Sequence, residues 1–245
     1  MDWLKLWHYG DLGRPPRSDW HEPLDEGDVH LWCLDAADVG DLVDYHCCLL
    51  DSGELDRLAW LRTAETQYEF IASHGAFRHL LGYYTRTSPT HIRLGSTKHG
   101  KPYLASPAGG SLHFNMAHSG GRIVCAFSRC EVGVDVEALA PDIVSPELIE
   151  AVFTPADMQT LASLSREHGE LRAFFAMWTL KESYIKATGL GFSADLQSFA
   201  VHPHPDSRSH VIHSLRSGEQ RQWRLYTVDL GEDHACALAT ANRDR

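Results

Sequence analysis

The chain has 245 residues, 43% of them apolar, 10% aromatic and 22% charged, which excludes both a disordered chain and a disulfide-stapled mini-protein. That length allows one large domain or two lobes of roughly 120 residues, each able to bury a core. The net charge of −11 is concentrated in one stretch: Asp19 to Asp56 holds twelve acids and no Lys or Arg, leaving the rest near neutral and without the basic face of a nucleic-acid binder.

Residues 10–28, rich in Gly, Pro and Asp, read as loop. Ser52-Gly53-Glu54 opens a helical pattern in which Leu55, Leu58, Leu61, Tyr68, Phe70, Ile71, Phe77, Leu80 and Leu81 recur near helical spacing through about Tyr84. Thr90 to Leu94 predicts a strand, followed by a turn-rich loop over residues 96–102. Arg122–Phe127 and Val132–Val136 are short β-branched runs whose closeness predicts a hairpin. Helical patterns cover about 145–151, 155–165 and 168–187, the last stopped by Gly189 and Gly191. Strands are expected at 199–202, 211–212, 223–228 and 234–240. Each half thus carries a long helix and several strands, which predicts an α+β fold of two similar lobes, residues 1–129 and 130–245.

No run of about 20 apolar residues could span a bilayer. Met1-Asp2-Trp3-Leu4-Lys5 has an early acid and no long apolar stretch, so a secretory signal is not expected. The six cysteines form no Cys-x-x-Cys pair and read as reduced, mostly packed thiols of a cytoplasmic protein.

Three stretches carry chemistry. In Gly133-Val134-Asp135-Val136-Glu137, strand geometry turns Asp135 and Glu137 to one face and the valines to the other. Two such carboxylates repel unless a cation lies between them, and a hard oxygen-seeking ion such as Mg²⁺ fits; a strand edge with two solvated acids is the plainer alternative. In Trp178-Thr179-Leu180-Lys181-Glu182-Ser183-Tyr184-Ile185-Lys186, Glu182 and Lys186 share a helix face at i, i+4, while Lys181 points about 100° away. Glu182 could complete a carboxylate metal site with Lys186 beside a phosphate, or the pair could be a surface ion pair. In His118-Ser119-Gly120-Gly121, the glycines let backbone approach an anion; no Gly-x-Ser-x-Gly elbow supports a serine hydrolase.

Together with Gly100-Lys101-Pro102, Phe114-Asn115-Met116-Ala117-His118-Ser119, Phe153-Thr154-Pro155-Ala156-Asp157, Gly189-Leu190-Gly191 and Ala72-Ser73-His74-Gly75-Ala76-Phe77-Arg78, these stretches resemble, in order and spacing, the surfactin-type (Sfp-type) 4′-phosphopantetheinyl transferases over residues 50–240. The resemblance implies a pseudo-twofold α+β fold with coenzyme A in the cleft between lobes. It implies transfer of phosphopantetheine to a serine of an apo acyl or peptidyl carrier protein, with release of 3′,5′-ADP. Asp135, Glu137 and Glu182 match the Mg²⁺ ligands, with Mn²⁺ as the alternative ion. Lys186 matches the lysine on the phosphate, His118 the histidine at the 3′-phosphate, and Lys101 a lysine of the nucleotide site. Arg57 aligns more loosely with a basic residue near the 3′-phosphate, and Arg78 matches a helix arginine for nucleotide binding or packing. The acceptor of the serine proton is Glu182, Asp157 or metal-bound water, Asp157 having the alternative role of complementing a helix N-terminus. The resemblance also implies a monomer, while the charge pattern and the lack of a long apolar run give no expectation of a nucleic-acid or membrane partner. Departures are Gln67-Tyr68-Glu69 where a basic residue is usual, and Ala117 where some relatives carry serine.

His202, His204, His210 and His213 have metal-like spacing but read as a solvated hairpin. Trp3, Trp7, Trp20 and Trp32 read as packing groups. A coenzyme A-binding module without activity and a Mg²⁺-dependent phosphohydrolase are the rivals; dependence on a protein acceptor separates them from the transferase.

Overall fold

The computed structural model describes residues 3–8, 23–107, 111–191, 194–203, 210–214 and 223–241. The first half holds β1 (Leu4–His8), β2 (Val29–Asp35), α1 (Val43–Leu49), α2 (Ser52–Trp60), α3 (Ala64–Thr85), β3 (Arg93–Ser96), β4 (Pro102–Ser106), β5 (His113–Ser119) and β6 (Arg122–Ser128). The second half holds β7 (Val132–Ala138), α4 (Pro146–Val152), α5 (Asp157–His168), α6 (Glu170–Thr188), β8 (Phe199–Pro203), β9 (His210–Ser214), β10 (Trp223–Val228) and β11 (His234–Ala241).

The first sheet runs β1-β2-β6-β5, with β1 parallel to β2 and the other pairs antiparallel. The second runs β7-β11-β10-β9-β8 and is antiparallel throughout. Alternation along the strands explains the layering. Trp32, Leu34, Ile123, Cys125 and Phe127 pack on Ala72, Ala76, Phe77, Leu80 and Leu81 of α3. Their strand neighbours Val29, Leu31, Cys33, Val124 and Ala126 turn the other way, onto Val132, Val134, Val136, Cys236 and Leu238 of the second sheet. The far face of that sheet, including Leu225, Ala235, Ala237 and Ala239, lies under α6. The architecture is therefore α+β, with two similar lobes joined sheet to sheet and one long helix on each outer face.

A repeated device marks the similarity. Asp51 and Glu54 form a capping box at α2, and Glu54 bonds the buried Arg78 of α3. Thr154 and Asp157 bond reciprocally at α5, and Asp157 bonds the buried Lys181 of α6. Acid and cation are 24 residues apart in both lobes.

The fold corrects several expectations. Arg122–Phe127 and Val132–Val136 do not form a hairpin: β6 pairs with β2 and β5, whereas β7 pairs with β11 in the other sheet. The hairpin partner of β6 is β5, through a two-residue Gly120-Gly121 turn with φ of 56° and 79°. Positive φ at both positions is the turn whose twist suits a hairpin, and glycine adopts it without strain. The helical pattern from Ser52 to Tyr84 is two helices, because Thr63 takes an N-cap conformation and accepts from Thr66 N at 3.2 Å. Within the acidic stretch lie β2, buried along nearly its whole length, and α1.

Trp32 Nε1 donates to Tyr84 Oη at 2.9 Å, Trp7 stacks on Trp32, and Trp3 packs on Tyr226; Trp20 lies outside the described residues. All six cysteines are free thiols, with Cys33, Cys125, Cys130 and Cys236 buried. Among the described residues no helix is long and apolar enough to cross a membrane. β8 and β9 pair as a hairpin that places His202 opposite Val211 and Pro203 opposite His210. His204 and most of residues 10–28 lie outside the described residues.

Candidate active site

The site starts from a glycine. Along β7 the valines face the first sheet, so Gly133, Asp135 and Glu137 face α6. A Cβ on Gly133 would fall 2.2 Å from Ser183 O and 2.3 Å from Ala187 N, so only glycine lets the helix backbone rest on the strand. This contact brings Glu182 and Lys186, one helical turn apart, over the strand carboxylates.

Lys186 Nζ donates to Asp135 Oδ1 at 2.6 Å. Asp135 is buried, and its Oδ2 has no hydrogen-bond partner. Burial pushes the Asp135 carboxyl up to about 7 against the pull of Lys186, with Glu137 and Glu182 pushing the same way. Burial likewise raises Glu182, opposed by Lys186 and reinforced by Glu137. Glu137 Oε2 accepts from Ser119 Oγ at 2.8 Å. Three carboxylates therefore influence one another across a space where one ammonium supplies the positive charge. Among the described residues no three His, Cys, Asp or Glu side chains already form a closed ligand set. Oxygen donors, excess negative charge and an orphaned buried carboxylate oxygen nevertheless suit a hard divalent cation.

Beside these groups is a cavity of about 400 Å³. The first lobe supplies His99, Lys101 and Asn115, and the second supplies Glu182, Lys186 and Leu196. Lys101 Nζ donates to Ala187 O at 2.5 Å and Val132 O at 3.3 Å, tying the β3–β4 hairpin to the carbonyl end of α6. Burial lowers Lys101 to about 8, against the pull of Glu131.

Two side chains stitch β5 to β7 where no strand ladder joins them. Asn115 Oδ1 accepts from Val134 N at 2.8 Å, and Ser119 Oγ accepts from Ala138 N at 3.2 Å. Sequence reasoning missed these roles. The signal available was the alternation of Asn115, Ala117 and Ser119, which puts them on one strand face.

The remaining predicted residues divide. His118 is exposed on β5, its Nδ1 3.6 Å from Glu69 Oε1. Arg57 is exposed on α2, its guanidinium 5.5 Å from the Phe70 ring centre. Arg78 is not part of the cavity lining. It is fully buried and donates to Glu54, Asp51 and Ile92 O, so packing is its role. Asp157 is also fully buried. Its Oδ2 accepts from Thr154 N and Lys181 Nζ, and its Oδ1 from Val201 N, leaving no oxygen directed to a substrate. The expectation of Asp157 as a proton acceptor gives way to a structural role, and Lys181 is its buried partner.

Residues 131–239 match the model of the 4′-phosphopantetheinyl transferase superfamily. The chain is 32% identical over 209 residues to a Bacillus subtilis 4′-phosphopantetheinyl transferase, covering 80% of this chain and 89% of that one. It belongs to this family. The transferase is also 32% identical over 184 residues to 4′-phosphopantetheinyl transferase HetI of a Nostoc species, covering 74% of this chain and 76% of HetI. A third relative is 4′-phosphopantetheinyl transferase Sfp of Bacillus subtilis, 32% identical over 148 residues, 60% of this chain and 63% of Sfp.

Proposed function

We propose that the transferase moves 4′-phosphopantetheine from coenzyme A to a serine hydroxyl of an apo acyl or peptidyl carrier protein, releasing 3′,5′-ADP, with Mg²⁺ bound. The observation that carries this reading is the meeting of Asp135, Glu137, Glu182 and Lys186 beside a cavity shared by both lobes, with Asp135 Oδ2 left unpartnered. Asp135, Glu137 and Glu182 would hold the cation, with Mn²⁺ the alternative. The cation, when bound, supplies charge neutralisation on the diphosphate.

The nucleophile belongs to the carrier, so the chain needs none of its own. Lys186 holds an ammonium in the partly dry space between the lobes, where it strengthens as negative charge grows on the departing phosphate. Glu182 lines the cavity and, with Asp157 committed to Lys181, is the side chain we assign as acceptor of the serine proton. Lys101 acts on geometry: by holding the end of α6 it fixes the wall against which the nucleotide rests. His118 and Arg57 lie outside that lining and are assigned to the nucleotide's outer phosphate. The division into lobes 1–129 and 130–245 leaves one cleft per chain, in keeping with a monomer.

The test is mass spectrometry of an apo carrier protein after incubation with the transferase, coenzyme A and Mg²⁺, beside an EDTA control. A gain of one phosphopantetheine that EDTA abolishes is expected. No gain on several unrelated carriers, with the transferase folded and coenzyme A bound, overturns the reading.

A further inference from the structure

The β5–β6 turn carries an anion seat that the chain fills with its own carboxylate. Gly121 N donates to Glu69 Oε1 at 3.1 Å, and the same oxygen lies 3.6 Å from His118 Nδ1. A backbone N–H on a glycine turn beside an imidazole is a seat for an oxyanion. A Cβ on Gly121 would meet nothing within 4 Å, whereas one on Gly120 would fall 2.7 Å from Ala138 Cβ, so the turn is packed at Gly120 and unobstructed at Gly121. Glu69 reaches the seat from α3, a different element, and keeps 25% of its side-chain surface in solvent. It can therefore swing clear without disturbing a core. The seat adjoins the acidic site, because Ser119, the residue after His118, donates its hydroxyl to Glu137 Oε2 at 2.8 Å.

We propose that Glu69 is a built-in competitor: its carboxylate holds the Gly121–His118 seat, and the phosphomonoester of the nucleotide co-substrate binds by displacing it. This rests on the reading that the site takes coenzyme A. Coenzyme A bears two phosphate groupings. With the diphosphate beside Lys186 and the carboxylates, the 3′-phosphate is the anion left for a second seat. Dephospho-coenzyme A lacks that group and has no contest with Glu69. The consequence is a specificity setting, since Glu69 weakens coenzyme A selectively and narrows its advantage over the dephospho form. A carboxylate and a phosphate contending for one N–H also repel, and at a half-buried site that repulsion outlasts screening by salt.

The test is calorimetric titration of the full chain, with Mg²⁺ present, by coenzyme A and by dephospho-coenzyme A, for wild type, Glu69→Gln and Glu69→Ala. Both variants are expected to bind coenzyme A about tenfold more tightly, equivalent to about 1.4 kcal/mol. Dephospho-coenzyme A should change less than about twofold, because it places no phosphate in the seat. Unchanged or weaker coenzyme A binding by the folded variants overturns the proposal. Equal tightening of both ligands also overturns it, since the effect would then be general charge. Should Glu69→Ala fail to fold, Glu69→Gln, which removes the negative charge that contends with the phosphate, decides alone. Binding of neither nucleotide by wild type, together with no transfer to a carrier, overturns the coenzyme A reading and this proposal with it.

Discussion

Replacing Asp157 by asparagine separates a structural acid from a catalytic one. The Asp157 carboxylate accepts from Lys181 Nζ at 2.6 Å, from Thr154 N and Thr154 Oγ1 at 2.8 Å, and from Val201 N at 2.7 Å, with neither Asp157 nor Lys181 exposed. Asparagine keeps the shape but brings an NH₂ against donors and leaves a buried ammonium without a counter-charge. Lys181 keeps carbonyl acceptors at Val152, Leu196 and Phe199, which limits the loss. Breaking a buried pair from one side costs about 3–5 kcal/mol. In a chain of this size each kcal/mol lowers the melting temperature by about 2–4 °C, so Asp157→Asn should melt roughly 6–20 °C lower. Calorimetry gives the midpoint, and carrier modification measured well below it should proceed near the wild-type rate. Asp157→Leu combined with Lys181→Met should recover part of the loss, because no charge is left alone. A variant that melts within about 2 °C of wild type while losing turnover 100-fold or more would refute the argument and make Asp157 the proton acceptor.

Three further outcomes are expected. Asp135→Asn should cut transfer by about 100-fold or more while the melting temperature holds or rises, because it removes a buried carboxylate that nothing but Lys186 offsets; parallel melting and mass-spectrometric assays check it, and full activity rules out the metal assignment. Lys186→Ala should lower kcat by about 10²–10³ with a smaller change in coenzyme A affinity, read by single-turnover kinetics and calorimetry; a loss confined to affinity would make Lys186 a phosphate anchor only. Burial holds His79 down at about 4 from the ordinary 6.5, so its contribution to stability is lost as pH falls through that window, by up to about 3 kcal/mol at about 1.36 kcal/mol per pH unit. Asp135, raised to about 7, works oppositely and gains stability as pH falls below that value. Urea titrations of wild type against His79→Gln at pH 7.5 and 4.5 cancel the Asp135 contribution, and equal losses in both proteins would refute the His79 assignment.

The second lobe was the more legible half. Its helices and strands follow clean periodicity, and the end of α6 was readable at Gly189, where φ is 72°. The first lobe hid two elements behind charge. β2 is an apolar run, Val29 to Leu34, buried on both faces, but its acidic flanks make the neighbourhood look like solvent-facing loop. The β6–β7 hairpin expectation failed because sequence proximity says nothing of which sheet a strand enters; an apolar face on β7 was claimed by the first sheet while its edge went to β11. Within the site, Asp135, Glu137, Glu182 and Lys186 were readable as facing pairs because strand and helix periods fix faces locally. Arg78 and Asp157 were not, since a buried ion pair is set by residues 24 positions away. The repeat of that spacing, Glu54 to Arg78 and Asp157 to Lys181, was in the sequence all along and is the signal that would have placed both residues inside.

The contact at Gly133 also bears on which parts of the transferase can move. With the backbone of α6 lying directly on β7, strand and helix have no side-chain cushion through which one could slide or tilt over the other. Asp135, Glu137, Glu182 and Lys186 thus ride on a single stiff block, already assembled before any ligand arrives. The opposite wall, the Thr97–Lys101 turn between β3 and β4, meets that block through the hydrogen bonds of Lys101 to Val132 O and Ala187 O and through a close approach at Gly191, where a Cβ would fall 2.4 Å from His99 O. Floor and opposite wall are thus clasped at two points, so the cleft is a preformed shape into which a ligand must fit.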